Sequence, residues 1–174
     1  MKLHDLEFKP YLSEQELATA VETLSRKVEK DYTNKTPVFV GVLNGAFMFL
    51  ADFMKNYNQD CEVSFTKLAS YQGTSSTGEV QTLIGMQNLE GKDVVIVEDI
   101  IDTGHTLAKI IEALDNAKVK SYKIMSLFYK PEAYQYDIPI DYIGLEIPNK
   151  FIVGYGLDYD DLGRNLPEIY QLKS

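Results

Sequence analysis

Short apolar runs followed by turns and helical patterns recur along this chain. Pro37–Leu43 and Val94–Val97 are wholly apolar, which is typical of strands buried on both faces of a parallel sheet. Each run leads into a turn that contains glycine and then into a predicted helix, the first through about Asn56 and the second over residues 106–116. The second helix has one apolar face, formed by Leu107, Ile110, Ile111 and Leu114.

The remaining elements follow from weaker patterns. Ser13 and Glu16 form a capping-box pattern, and the helix that follows has an apolar face of Leu17, Val21, Leu24 and Val28. We expect the first twelve residues to be an irregular arm. Extended segments are predicted over residues 61–71, 79–86 and 121–129, and residues 166–172 are predicted to be a short strand or a packed arm.

Composition indicates a globular protein of one domain. The chain has 174 residues, 45% of them hydrophobic, and a net charge of −9, which argues against binding DNA or RNA by phosphate neutralisation. Val38–Ala51 is the longest uncharged apolar stretch and is too short to span a membrane. The N-terminus has no signal-peptide pattern, so we expect a cytoplasmic protein. Cys61 is the single cysteine and cannot form an internal disulfide.

The candidate chemistry follows the second apolar run. Glu98 and Asp99 come where that strand should end, and ligands bind at the carboxyl ends of strands in open α/β sheets. The short turn Asp102–Thr106 then enters a helix, so several backbone N–H groups and the helix dipole should point at one spot that favours a phosphate. The alternative is that these acids only cap a strand–helix junction.

This stretch, from the apolar strand through Glu-Asp and two apolar residues to Asp-Thr-Gly-x-Thr, resembles the phosphoribosyl-pyrophosphate (PRPP) signature of the type I phosphoribosyltransferases. The resemblance implies an α/β fold, with a twisted parallel sheet flanked by helices and a small hood subdomain. The whole chain, 1–174, would be a single domain whose hood is contributed by about residues 1–12 and 146–174.

The resemblance also implies roles at this stretch. Glu98 and Asp99 would hold the ribose hydroxyls, directly or through Mg²⁺. Residues Asp102, Thr103, Gly104, His105 and Thr106 would bind the 5′-phosphate of PRPP, His105 mainly through its backbone N–H. Asp102 would be the general base that accepts or steers a proton at N7 of a purine.

A second glycine turn, Leu43-Asn44-Gly45-Ala46, follows the first apolar run. By itself it indicates a tight strand–helix connection or a backbone nest for an anion. In the family the equivalent turn contacts pyrophosphate and usually reads Leu-Lys-Gly-Gly, so this chain lacks the lysine. The resemblance assigns Asn44 and Gly45 to pyrophosphate, together with Arg164.

A Gly/Thr/Ser-rich connection, Gln72–Gly78, follows Ser70 and Tyr71. It could be an ordinary flexible loop. The resemblance implies instead that the segment of about 70–79 is the family's catalytic loop, which closes over the site and excludes water.

The run from Asp141 to Tyr159 resembles the purine-salvage branch of the family, the hypoxanthine-guanine phosphoribosyltransferases, and in particular the bacterial ones. The resemblance implies that Lys130 donates to a purine 6-oxo group, that Phe151 stacks on the base, that Ile152 offers backbone groups to it, and that Asp158 helps Glu98 and Asp99 bind Mg²⁺. Taken alone, Lys130 could be a solvated lysine at a strand end, and Phe151 could be a core residue.

The implied function is purine salvage, in which a 5-phosphoribosyl group moves from PRPP to N9 of hypoxanthine or guanine. An alternative is a regulator with the same fold that senses PRPP and binds nucleic acid, against which the net charge of −9 argues. Adenine or xanthine is a further alternative base. Members of the family usually form homo-dimers or homo-tetramers, so we expect one of these assemblies.

Overall fold

The computed structural model describes residues 1–68, 82–84 and 88–173. The residues described in it form three helices, α1 (Glu14–Asp31), α2 (Phe47–Asn56) and α3 (His105–Asn116). The described strands are β1 (Lys2–Leu3), β2 (Leu6–Leu12), β3 (Val38–Val42), β4 (Glu62–Leu68), β5 (Thr82–Ile84), β6 (Asp93–Ile101), β7 (Ser121–Tyr129), β8 (Tyr142–Glu146), β9 (Ile152–Val153) and β10 (Ile169–Leu172).

A six-stranded sheet forms the centre of the molecule, in the order β5-β4-β3-β6-β7-β8. The five strands from β4 to β8 in this order are parallel, and β5 pairs antiparallel with β4. Both apolar runs lie side by side in it, with Val38 in register with Val94. Since parallel strands end at the same edge, the turns after β3 and β6 meet there. The predicted parallel α/β fold is confirmed.

Helices cover both faces of this sheet. Alternate residues of β3 and β6 point to opposite sides: Phe39 and Val95 pack in the cluster with α1 and α2, whereas Val40 and Val94 pack against Ile110 and its neighbours on α3. Val94 to Val97 are fully buried, and burial of each such side chain stabilises the fold by roughly 1.5–3 kcal/mol. The apolar runs were therefore a reliable signal for the central strands.

The capping box is present at the start of α1, where the Ser13 hydroxyl and the Glu16 carboxylate each accept from the other's backbone N–H. Two boundaries differ from prediction. β6 continues through Ile101, so Glu98 and Asp99 lie inside the strand rather than after it. α3 begins at His105, one residue earlier than predicted.

A second, four-stranded sheet joins the two ends of the chain, in the order β1-β2-β10-β9. The prediction of an irregular N-terminal arm is therefore wrong: β2 pairs antiparallel with β10, with Phe8 opposite Leu172. Lys9 and Pro10 interrupt the local strand pattern, and the pairing partner is at the other end of the chain, so nothing near the arm indicated a strand. Residues 166–172 do contain the short strand that was expected.

The predicted catalytic loop, including Ser70 and Tyr71, lies outside the described residues, and so does most of the extended segment predicted at 79–86. Among the helices that the structure describes, none has the length and hydropathy needed to cross a lipid bilayer.

Candidate active site

A cleft of about 510 Å³ opens at the carboxyl edge of the central sheet. It lies between the turn after β3 and the junction of β6 with α3. Its lining residues are Val42, Leu43, Gly45, Glu98, Asp99, Ile100, Ile101, Asp102, Thr103, Gly104, His105, Thr106, Leu107 and Lys109. The structure thus brings together the acid pair, the whole 102–106 turn and one glycine of the second turn, as the sequence predicted.

Glu98 and Asp99 are buried at the floor of this cleft, with 5% and 9% exposure. Burial raises the pKa of Asp99 to about 6, because the charged form loses its hydration; a hydrogen bond from the Ile100 N–H and the Arg164 charge oppose this. Burial, and then the Asp99 charge, raise the pKa of Glu98 well above its usual value. Burial thus makes both of these consecutive carboxylates resist ionisation.

The turn before α3 has the backbone shape that an anion site needs. Gly104 caps the helix at φ 89°, a left-handed conformation that glycine adopts without steric cost. A Cβ atom at Gly104 would also lie 2.5 Å from the Tyr134 ring. Gln135, the residue after Tyr134, donates its backbone N–H to the Thr103 carbonyl at 3.1 Å. The segment after β7 therefore supports the turn through the Thr103 carbonyl and packs against Gly104.

His105 contributes more than its backbone to this turn. Its Nδ1 shares a hydrogen bond of 2.7 Å with the Thr103 hydroxyl, and its ring lies edge-on to Tyr136 at 5.4 Å. Thr103 and Tyr136 thus hold the His105 side chain in place.

Lys130 is buried, with 5% exposure, and its Nζ lies 2.7 Å from Oδ2 of Asp102. The alternative of a solvated lysine is therefore wrong. The pairing follows from the register of the sheet. Ile101 and Tyr129, the last residues of β6 and β7, lie opposite each other. The residues that follow them, Asp102 and Lys130, are therefore neighbours. The Lys130 ammonium can only donate hydrogen bonds, and the Asp102 carboxylate can only accept them. The pair therefore offers a ligand one donor and one acceptor next to each other.

The second glycine turn is packed tightly between two elements. A Cβ on Gly45 would lie 1.7 Å from Oδ2 of Asp99, and a Cβ on Gly156 would lie 2.1 Å from the Gly45 carbonyl oxygen. The peptide bond between Leu43 and Asn44 is cis. Asn44 itself is not among the cleft-lining residues, whereas Gly45 is held directly beside the buried acid pair.

Arg164 and Asp158 join the site through Gly156. The Arg164 guanidinium donates to the Gly156 carbonyl at 2.8 Å, and its other terminal nitrogen pairs with the Asp158 carboxylate at 2.6 Å. In the described part of the chain, no three His, Cys, Asp or Glu side chains are arranged to hold a metal ion. Asp158 is thus paired with an arginine and does not complete a preformed metal site with Glu98 and Asp99.

Tyr155 connects the segment that contains Gly156 to helix α2. Its hydroxyl donates to the Asp52 carboxylate of α2 at 2.7 Å, and Asp52 also pairs with Lys55. Burial raises the pKa of the Tyr155 phenol, and the hydrogen bond to Asp52 raises it further. This contact holds the Gly154–Gly156 turn against the helix that follows the second glycine turn.

The residues assigned to the purine base lie outside the cleft lining. Phe151 is 42% exposed and its ring lies 5.9 Å from that of Tyr159, so the alternative of a core residue is wrong. Ile152 is buried in β9. Sequence reasoning missed Lys109, which lines the cleft; its spacing from His105 on one side of α3 was the available signal.

Known proteins share this architecture and sequence. A family profile described as "Phosphoribosyl transferase domain" matches residues 8–160. A hypoxanthine-guanine phosphoribosyltransferase of Streptococcus thermophilus is 43% identical over 167 residues, covering 95% of this chain and 93% of that protein. The crystal structure of a Staphylococcus aureus hypoxanthine phosphoribosyltransferase matches with a TM-score of 0.88 at 43% identity, covering 97% of this chain and 92% of that chain.

A Bacillus anthracis hypoxanthine-guanine phosphoribosyltransferase, crystallised with HEPES in the active site, also matches with a TM-score of 0.88, at 36% identity over 98% of this chain and 100% of that chain. The agreement in fold and sequence covers nearly the full length of the chain in each comparison. The predicted type I fold is therefore confirmed, and the chain belongs to the phosphoribosyltransferase family.

Proposed function

We propose that this protein transfers a 5-phosphoribosyl group from PRPP to N9 of a 6-oxopurine, hypoxanthine or guanine, and releases pyrophosphate. The observation that carries the proposal is the cleft in which Glu98 and Asp99 lie beside the glycine turn that opens α3. The named relatives are hypoxanthine-guanine phosphoribosyltransferases, and no comparison supports the nucleic-acid-binding regulator.

The two halves of this cleft suit the two ends of a phosphorylated ribose. The amides of residues 103–106 and the hydroxyls of Thr103 and Thr106 would bind the 5′-phosphate. Glu98 and Asp99 would accept hydrogen bonds from the ribose hydroxyls. Such contacts hold the sugar in place while positive charge develops on it as pyrophosphate leaves.

Magnesium is part of the proposal, and the acid pair fits it. Glu98 and Asp99 are buried beside each other, and burial raises the pKa of each, so a cation there would relieve their desolvation. Mg²⁺ takes hard oxygen ligands and usually keeps substrate oxygens and waters beside one or two carboxylates. When bound, it would neutralise the charge that grows on pyrophosphate. Asp158 would become a ligand of Mg²⁺ only if its ion pair with Arg164 were broken.

The adjacent Lys130 and Asp102 fit one edge of a 6-oxopurine. The Lys130 ammonium would donate to the 6-oxo group, and the Asp102 carboxylate would accept from N7–H, which assigns Asp102 as the general base. Adenine would place an amino donor opposite the ammonium, so it is disfavoured. Their 2.7 Å ion pair would be replaced by these contacts when the base binds.

The remaining assignments complete the substrate sites. Phe151, exposed beside Tyr159, would stack on the base, and Ile152 would offer backbone groups to the base edge. Gly45 and Arg164 would contact pyrophosphate, with the backbone of Asn44 in place of the family's lysine side chain. Ser70 and Tyr71 would belong to the loop that closes over the site.

The test is to mix the protein with PRPP, Mg²⁺ and one purine at a time, and to measure nucleotide and pyrophosphate formation. Product with hypoxanthine or guanine, and little with adenine, is expected. No product with any purine, together with a gel shift of DNA or RNA, would favour the regulator. The assignments of a cytoplasmic location and of a homo-dimer or homo-tetramer remain predictions, for which fractionation and sedimentation are the measurements.

A further inference from the structure

The proposed 5′-phosphate subsite has no full positive charge from the turn itself. Three of the lining side chains, Glu98, Asp99 and Asp102, are carboxylates, whereas the 5′-phosphate is an anion. Backbone amides supply partial positive charge only. Lys130, the buried cation nearby, is already paired with Asp102. Among the lining residues, the lysine that could balance a phosphate is Lys109.

The position of Lys109 on α3 directs it to the phosphate turn. Successive residues on a helix are about 100° apart, so Lys109 lies on the side of His105 and Thr106, opposite the buried Leu107 and Leu114. Helical side chains lean toward the N-terminus and cover the preceding turn. The ammonium of Lys109 can therefore reach the level at which the free N–H groups of the first turn open into the cleft.

Nothing in the described part of the chain competes for this ammonium. No ion pair or hydrogen bond of Lys109 occurs between described residues, and the first turn of α3 contains no acidic residue. The neighbouring His105 already uses Nδ1 to bond the Thr103 hydroxyl. The histidine side chain is thus committed to the turn, while the lysine is available to a ligand.

We propose that Lys109 binds the 5′-phosphate of the substrate and supplies the full positive charge of that subsite. This inference rests on the proposed function, since it adds a residue to the same cleft. Lys109 would act on the phosphate and not on the reacting carbon, so it would contribute to substrate affinity with little effect on the chemical step.

The first experiment compares Lys109→Met with the wild-type enzyme in steady-state assays. The KM for PRPP should rise about five- to tenfold, because a charge-assisted contact is lost at a partly solvated site, while kcat stays within about twofold. Lys109→Arg should restore most of the affinity. The matched control is Lys27→Met, which removes the same charge from exposed Lys27 on α1, across the sheet, and should leave both constants unchanged.

The second experiment tests whether the effect follows the phosphate. Titration with inosine 5′-monophosphate and with inosine should show that Lys109→Met weakens binding of the nucleotide but not of the nucleoside. An unchanged KM for PRPP, or equal losses for both ligands, would overturn the role of Lys109 while leaving the transferase assignment intact. If the wild-type enzyme itself makes no nucleotide, the proposed function fails first.

Discussion

Replacement of Asp99 by asparagine should stabilise the substrate-free protein at neutral pH. The carboxylate is buried at the floor of the cleft, and burial raises its pKa to about 6 from an ordinary 3.8. An amide of the same shape carries no charge and can still accept from the Ile100 N–H, which now lies 2.9 Å from Oδ1. The substitution thus removes the desolvation penalty and keeps the hydrogen bond.

The sign and size of the effect follow from proton linkage. Between pH 3.8 and about 6, the folded wild-type protein keeps a proton that the unfolded chain has released, so its free energy of unfolding falls as the pH rises. The two pKa values correspond to about 3 kcal/mol once the pH exceeds 6. For a chain of this size that is a rise of about 6–12 °C in the Tm of the variant.

The assay is thermal or urea unfolding of wild type and Asp99→Asn between pH 4 and 7.5, without PRPP or Mg²⁺. The difference between the two proteins should be small at pH 4, grow up to about pH 6 and level off above that pH. Asp115→Asn, which changes an exposed carboxylate on α3, is the control and should show no such growth. A variant less stable than wild type at pH 7.5, or a difference that does not vary with pH, would refute the reasoning.

Three further substitutions test other parts of the site. Asp102→Asn should lower kcat about 100-fold or more, since the general base is lost, with little change in the KM for PRPP. Gly156→Ala should destabilise the fold by about 2 kcal/mol or more, because φ is 101° and the new methyl group meets a carbonyl oxygen at 2.1 Å. Tyr155→Phe should lower the free energy of unfolding by about 1 kcal/mol through loss of the hydrogen bond to Asp52.

Each has a measurement and a comparison. Steady-state kinetics test the first, and unchanged turnover would remove Asp102 as the base. Urea unfolding tests the others. Gly91→Ala is the matched control for Gly156, because Gly91 also has a positive φ, 72°, but has no atom within 4 Å of the added methyl group. Equal losses at the two glycines would contradict a steric role, and an unchanged stability of Tyr155→Phe would show that its hydrogen bond has no net value.

Local patterns predicted the centre of the fold and the part of the candidate site that residues 98–106 form. The apolar run of β6, the acid pair and the turn into α3 are contiguous, so their geometry follows from strand and helix preferences alone. Local sequence patterns could not predict the burial of Glu98 and Asp99. It depends on neighbouring strands and on the backbone of Gly45, which lies against Asp99.

Contacts between distant segments could not be predicted. The ion pair of Lys130 with Asp102 depends on the register of β6 and β7, which a single sequence does not supply. The strand β2 depends on β10 at the other end of the chain. Lys109 went unnoticed because its one signal, the helical spacing from His105, is equally compatible with a solvated lysine on an exposed helix position.

The contact of Gly156 with the carbonyl of Gly45 restricts which segments could be exchanged between enzymes of this family. The segment proposed to recognise the base meets the Leu43–Ala46 turn at Gly156, where an added methyl group would meet the Gly45 carbonyl oxygen, and a methyl group on Gly45 would meet the Asp99 carboxylate. A segment exchanged for one from another transferase would therefore have to keep glycine at position 156, whatever residue stands at position 45. A chimaera with a larger residue at position 156 would push the two proposed substrate sites apart.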